Sequence, residues 1–142
     1  MSMQTALSSP AARLAAMRPT PSALRVATMS ASPGNAVLLT VESETVTEVF
    51  SAIGERGVRA EAVAREAALE ARRYLASGAA VGEHLGDQVM LPMALAGGGS
   101  YTLDHVSHHA ITNAEVITHF LPVTISFEQG ERFNTCHVRA KI

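Results

Sequence analysis

Residues 36–78 read AVLLTVESETVTEVFSAIGERGVRAEAVAREAALEARRYLASG, and a change of period within them decides the fold class. Ala36–Val41 is an aliphatic run preceded by the turn residues Pro33-Gly34-Asn35, which predicts a strand. Val46–Ile53 alternates and is rich in β-branched residues, so it is a second strand and the natural hairpin partner of the first. Gly54 and Gly57 close it. The period then lengthens: Val63, Ala67, Ala71 and Tyr74 form an apolar stripe over a helix at residues 60–77. Glu61/Arg65 and Glu70/Arg73 stand at ion-pair spacing on it, and Gly78 serves as its C-cap. A hairpin feeding a helix, without strict strand–helix alternation, points to an α+β fold, or to a compact α/β one.

Working outward, Leu24–Met29 alternates well enough for one strand. The first acidic residue is Glu42, and only Arg13, Arg18 and Arg25 carry charge before it. Such an acid-free start has the composition of a transit peptide, of a poorly ordered lead-in, or of the interior of a longer gene. The division expected is a lead-in with one strand at 1–31 and a main unit at 32–142. Beyond the first helix, a second covers Glu83 to about Ala96, with Pro92 as a kink or break. Gly97-Gly98-Gly99 is a turn into a short strand, Ser100–Leu103. Thr112-Asn113-Ala114-Glu115 has capping-box spacing, which predicts a helix from Thr112 to about Leu121, stopped by Pro122. Val123–Phe127 and Phe133–Val138 read as a hairpin around Gln129-Gly130.

The chain has 142 residues, room for one sizeable core. Charged residues are only 17% of it, against roughly 25% in an ordinary soluble domain. So thin a charge cover suits a piece that packs against more protein, and self-association is expected of the isolated chain. A net charge of -2 gives no bulk basicity for nucleic-acid binding, and the absence of Trp leaves no stacking platform. The single cysteine, Cys136, fits a reducing, cytoplasmic compartment. No stretch reaches the roughly 18 apolar residues of a membrane span.

Two constellations carry chemistry. His105, His108 and His109 crowd together, yet no CxxC, HExxH or nearby carboxylate set completes a metal site, so no metal ligand is assigned. His109 lies just ahead of the helix opening at Thr112, where free N–H groups and the positive end of the dipole favour an anion. A neutral imidazole there is suited to nucleophilic attack on phosphorus. The second is His84-Leu85-Gly86-Asp87-Gln88: on a helix His84, Asp87, Gln88 and Leu91 share a face. A Gln amide can pair with the N6/N7 edge of adenine. The plainer reading is a solvated polar helix end, and spacing alone favours it. Gly97–Gly99 is no P-loop, since no GK[ST] follows, and Ser100 has no base placed around it by motif.

Together these residues resemble the C-terminal part of the RNA 3′-terminal phosphate cyclases, from Ser32 to about Ile125. The matching text is PGNAVLLTVESE (33–44), EVFSAIGERGVRAEAVA (48–64), RRYLASGAAVGEHLGDQVMLPMALAGGGSYT (72–102) and SHHAITNAEVITHFLPVTI (107–125). Residues 1 to about 23 match nothing in that family, and the match loosens from Gly130. The resemblance implies βαβαββ-type repeat units, as in the C-terminal domain of an initiation factor, here truncated. It implies that the histidine of H-x-x-T-N, His109, attacks the α-phosphate of ATP and carries AMP. It implies that the segment corresponding to HLADQ, here His84, Leu85, Gly86, Asp87 and Gln88, lines the adenosine pocket. Gly86 stands where Ala is usual, which removes a methyl and loosens the helix. The substrates implied are ATP and RNA 3′-phosphate ends, the product a 2′,3′-cyclic phosphate, and the assisting ion magnesium or manganese, with its ligands outside this chain. The resemblance covers only the family's C-terminal part, and a separate chain or an upstream region is the expected complement of the site. Two rivals stand beside this reading: a non-catalytic cyclase-like module of ribosome assembly, which lacks the nucleophilic histidine, and an inert fragment.

Overall fold

The computed structural model describes residues 20–31 and 34–142. The arginine-containing start up to residue 19, and the Pro33 of the expected turn, lie outside the described residues. The chain divides into two compact units, one over Pro19–Ala76 and one containing Ser77–Ile142.

The first unit is an antiparallel meander of β1 (Pro21–Ala31), β2 (Gly34–Ser43) and β3 (Thr47–Ile53), followed by α1 (Ala60–Ser77). β2 and β3 form the hairpin that the sequence predicts, with Leu39 opposite Phe50 and Val41 opposite Glu48. Burial alternates strictly along β3, because every second side chain of a strand faces the helix. Val63, Ala67, Ala71 and Tyr74 of α1 are all at most 3% exposed, so the stripe read from the sequence is the packed face. Leu39, Val41 and Phe50 meet Ala71 and Tyr74, while Val37 and Ala52 meet Val63 and Ala67. The Phe50 and Tyr74 rings lie 5.6 Å apart at a 43° tilt, an aromatic pair that adds about 0.5–1.5 kcal/mol to area burial. Gly78 follows α1 with φ +70, the left-handed conformation that lets a helix end there. Glu61 lies 4.0 Å from Arg59 on the exposed surface.

The second unit runs α2 (Glu83–Leu95), β4 (Gly98–Leu103), α3 (His108–Phe120), β5 (Val123–Gln129) and β6 (Asn134–Ala140). Its sheet has the order β4-β6-β5, all antiparallel, so the last strand inserts between its hairpin partner and β4. Tyr101, Leu103, Cys136, Val138 and Val123 make the buried face, on which both helices pack. Val81 adds a parallel bridge to Leu103, with its N–H donating to the Thr102 carbonyl at 3.1 Å. Overall the protein is α+β, with two small antiparallel sheets and three helices among the described residues.

Burial has a chemical consequence in this sheet. Tyr101 and Cys136 pair across β4 and β6 with neither exposed. Desolvation pushes the Cys136 thiol above its ordinary value, against a smaller lowering by its hydrogen bond with Tyr101. Desolvation, reinforced by Cys136, pushes the Tyr101 phenol far up as well. Both groups therefore hold their protons to higher pH in the fold than in the unfolded chain, where the thiol ionises near pH 8.5 and the phenol near pH 10. Stability is full below those values and falls as pH rises through them, by up to about 1.4 kcal/mol per pH unit for each group. Thermal unfolding between pH 7.5 and 10.5 should show a falling Tm, and Cys136→Ala should flatten the first part of the fall. A Tm independent of pH over that range would contradict the burial of both groups.

Candidate functional site

α2 begins at Glu83, after Gly82 as an extended N-cap, and continues through Pro92 without stopping. Proline has no N–H to close onto the carbonyl four residues back, so the helical ladder lacks its bond to Gln88. Gly86 is buried, and a Cβ there would come within 3.1 Å of Leu103 Cδ1 and 3.3 Å of Leu103 Cβ. The glycine thus lets α2 lie tightly on β4, and the Tyr101 hydroxyl donates to the Gly86 carbonyl at 2.5 Å. The methyl that the resemblance finds missing is space filled here by Leu103.

α3 starts earlier than its sequence predicts. Ser107, not Thr112, is the N-cap, and its hydroxyl accepts from the Ala110 N–H at 3.1 Å. The helix is longer at its start because two polar histidines hide the apolar period there, while Ala110, Ala114 and Ile117 make the buried stripe. His109 is therefore the second residue of the helix rather than a loop residue ahead of it. It remains beside the unsatisfied N–H groups of the first turn, where a negative group gains about 0.3–1 kcal/mol.

The two helices meet over an open groove of about 540 Å³ lined by Asp87, Gln88 and Leu91 of α2 and His109, Thr112, Asn113 and Val116 of α3. His109, Thr112, Asn113 and Val116 fall at i, i+3, i+4 and i+7, one helix face. His109 and Gln88 are exposed and Asp87 is half-buried. Asn113 spans the groove's floor: its amide nitrogen donates to Asp87 Oδ1 at 2.8 Å and to the Asp87 carbonyl at 3.1 Å. Of the five residues from His84 to Gln88, the structure thus brings Asp87 and Gln88 onto the groove with His109. His84 and Leu85 belong to the preceding turn, outside that lining, and Gly86 faces β4. His108 is exposed but does not line the groove. Among the described residues no group of three or more His, Cys, Asp or Glu is placed to hold a metal ion. None of the helices described is long and apolar enough to cross a membrane.

Sequence reasoning missed two contacts. Asn113 read only as part of a capping box, and nothing in either helix announces a partner 26 residues away. No motif places a base around Ser100, but its hydroxyl lies 2.8 Å from His137 Nδ1, whose Nε2 is 3.2 Å from Glu128 Oε2. A carboxylate only accepts, so Nε2 donates to Glu128, and in the neutral imidazole Nδ1 then accepts from the Ser100 hydroxyl. This chain of bonds runs across the sheet face opposite Tyr101, away from the groove, and Glu128 is 75% exposed. It ties three strands together at the surface and adds little stability in water.

Against known proteins, the family model described as RNA 3′-terminal phosphate cyclase matches residues 4–127. That match begins well ahead of Ser32, in a segment where sequence reading alone found no likeness. An RNA 3′-terminal phosphate cyclase of Salmonella enteritidis is 58% identical over 99 residues, which is 70% of this chain and 29% of the relative. A protein of the same name from Koribacter versatilis is 52% identical over 109 residues, 77% of this chain and 30% of the relative. The chain spans about three-tenths of the length of these relatives.

Proposed function

Because the chain belongs to the RNA 3′-terminal phosphate cyclase family, we propose that it carries the nucleophile and the adenosine side of an ATP-dependent RNA 3′-phosphate cyclising site. The observation that carries this reading is the meeting of His109 with Asp87 and Gln88 on one groove, from motifs on two different helices.

In this reading adenosine lies along the groove, with Leu91 and Val116 as apolar walls, Gln88 at the adenine edge and Asp87 at the ribose hydroxyls. The α-phosphate then reaches the first turn of α3. An imidazole nitrogen of His109 attacks it, the P–O bond to diphosphate breaks, and a histidine–AMP phosphoramidate forms. An oxygen of the RNA 3′-phosphate attacks the AMP phosphorus, the P–N bond to the histidine breaks and the imidazole is released, and the RNA end is activated as a phosphoanhydride with AMP. The neighbouring 2′-hydroxyl attacks the RNA phosphorus, AMP leaves, and the 2′,3′-cyclic phosphate closes. The divalent ion expected from the resemblance is assigned, in this reading, to the remaining part of the site. The RNA surface and the cations around the phosphates are assigned to that part too, since phosphoryl transfer depends on positioning and charge neutralisation.

Gln88→Ala tests the adenosine side. An amide that reads adenine contributes about 1–3 kcal/mol of discrimination in comparable base contacts. In the chain completed by the rest of a cyclase, the variant should lose most of its preference for ATP over GTP in AMP- or GMP-protein formation. An unchanged preference would return Gln88 to the solvated helix surface.

A further inference from the structure

We infer that Asn113 is the positioning residue of this groove: by donating twice to Asp87 it aims that carboxylate at a nucleoside's hydroxyls and fixes the spacing of the two helices. The inference rests on the nucleotide-binding reading above, and it concerns how the site is held rather than what it binds. Both of Asn113's partners, the Asp87 carbonyl and carboxylate, are acceptors. The amide nitrogen must therefore face Asp87, and the orientation of the side chain is determined by chemistry. One bond grips the backbone of α2 and the other grips the side chain, so neither the helix nor the Asp87 rotamer can shift without loss. Hydrogen bonds to an ionised carboxylate are also shorter and stronger than neutral ones.

Geometry links this clasp to the nucleophile. Asn113 sits one turn beyond His109 on the same face of α3, while Asp87 and Gln88 are adjacent on α2. Fixing Asn113 to Asp87 therefore fixes His109 relative to the residues assigned to the nucleoside. With one carboxylate oxygen engaged, the other is held as an acceptor along the groove, in place of a freely rotating side chain that would lose rotamer freedom on binding.

A double-mutant cycle on the 142-residue chain tests this, with dissociation constants measured for ATP, adenosine and inorganic tripolyphosphate. Asn113→Ala should weaken ATP and adenosine about tenfold and leave tripolyphosphate unchanged, and adding it to Asp87→Ala should cost no further affinity. Asn113→Asp keeps the volume but lacks the donors, and should weaken adenosine at least as much. It covers the case in which the alanine variant fails to fold. Full adenosine affinity in either variant, losses that multiply in the double variant, or an equal loss for tripolyphosphate would each overturn the inference and leave the nucleotide reading intact. If the wild-type chain binds neither adenosine nor ATP, the nucleotide reading fails, and the inference with it.

Discussion

His109→Ala should reduce AMP–protein formation to background in the chain completed by the rest of a cyclase, while His108→Ala should retain most of it. The two histidines are neighbours in sequence and both exposed, but successive residues of a helix point about 100° apart. Only His109 faces the groove with Asp87 and Gln88. In the proposed mechanism the substitution removes the bond that would hold AMP, and no neighbour on that helix face replaces it, since Thr112, Asn113 and Val116 carry no comparable lone pair. The measurement is incorporation of label from α-labelled ATP into denatured protein. Equal loss from both changes would point to a structural part for the histidine pair. Retained labelling in His109→Ala would move the nucleophile elsewhere.

The second large effect is on folding. Gly98 has φ +107, and a Cβ built there would lie 2.6 Å from the Val138 carbonyl oxygen, an atom of the backbone that cannot swing aside. Gly98→Ala therefore combines backbone strain with overpacking, each about 1–3 kcal/mol. That is a large share of the roughly 5–15 kcal/mol that holds a small domain together. Gly97 also has positive φ, +95, but nothing lies within 4 Å of its would-be Cβ. Gly97→Ala should then carry the strain alone. Denaturant midpoints should fall further for Gly98→Ala than for Gly97→Ala, and the β4–β6 pairing should loosen with them. Because β4 carries Tyr101, whose hydroxyl holds the Gly86 carbonyl of α2, the groove should open as well. Equal midpoints for the two variants would contradict the close approach of β4 to β6.

Much of the first unit was legible in the sequence because its determinants are local. The alternation along β3 and the stripe on α1 report burial directly, since each residue's environment follows from the period of its own element. The start of α3 departs from its sequence expectation for an equally local reason. Thr112-Asn113-Ala114-Glu115 has the spacing of a cap, but Ser107 takes that part, and Asn113 spends its amide on α2. Strand order in the second unit was not legible. Placing β6 between β4 and β5 depends on the pairing of Tyr101 with Cys136, which share no local signal. At the site, the residue types and the helix face of Asp87, Gln88 and Leu91 could be read. Which side of α3 they would meet, and that His84 and Leu85 would stand off the groove, follow only from how Gly86 seats α2 on β4.

In the proposed site the groove holds a nucleotide with its α-phosphate at His109. The most direct measurement of this is tandem mass spectrometry of peptides from the chain, incubated with ATP and magnesium beside the complementary portion of a relative. One adenylyl group is expected, acid-labile as a phosphoramidate is, on the peptide spanning residues 105–119 and localised to His109. An adenylyl group on another residue, or an unmodified chain under conditions where the intact relative is fully labelled, would contradict it.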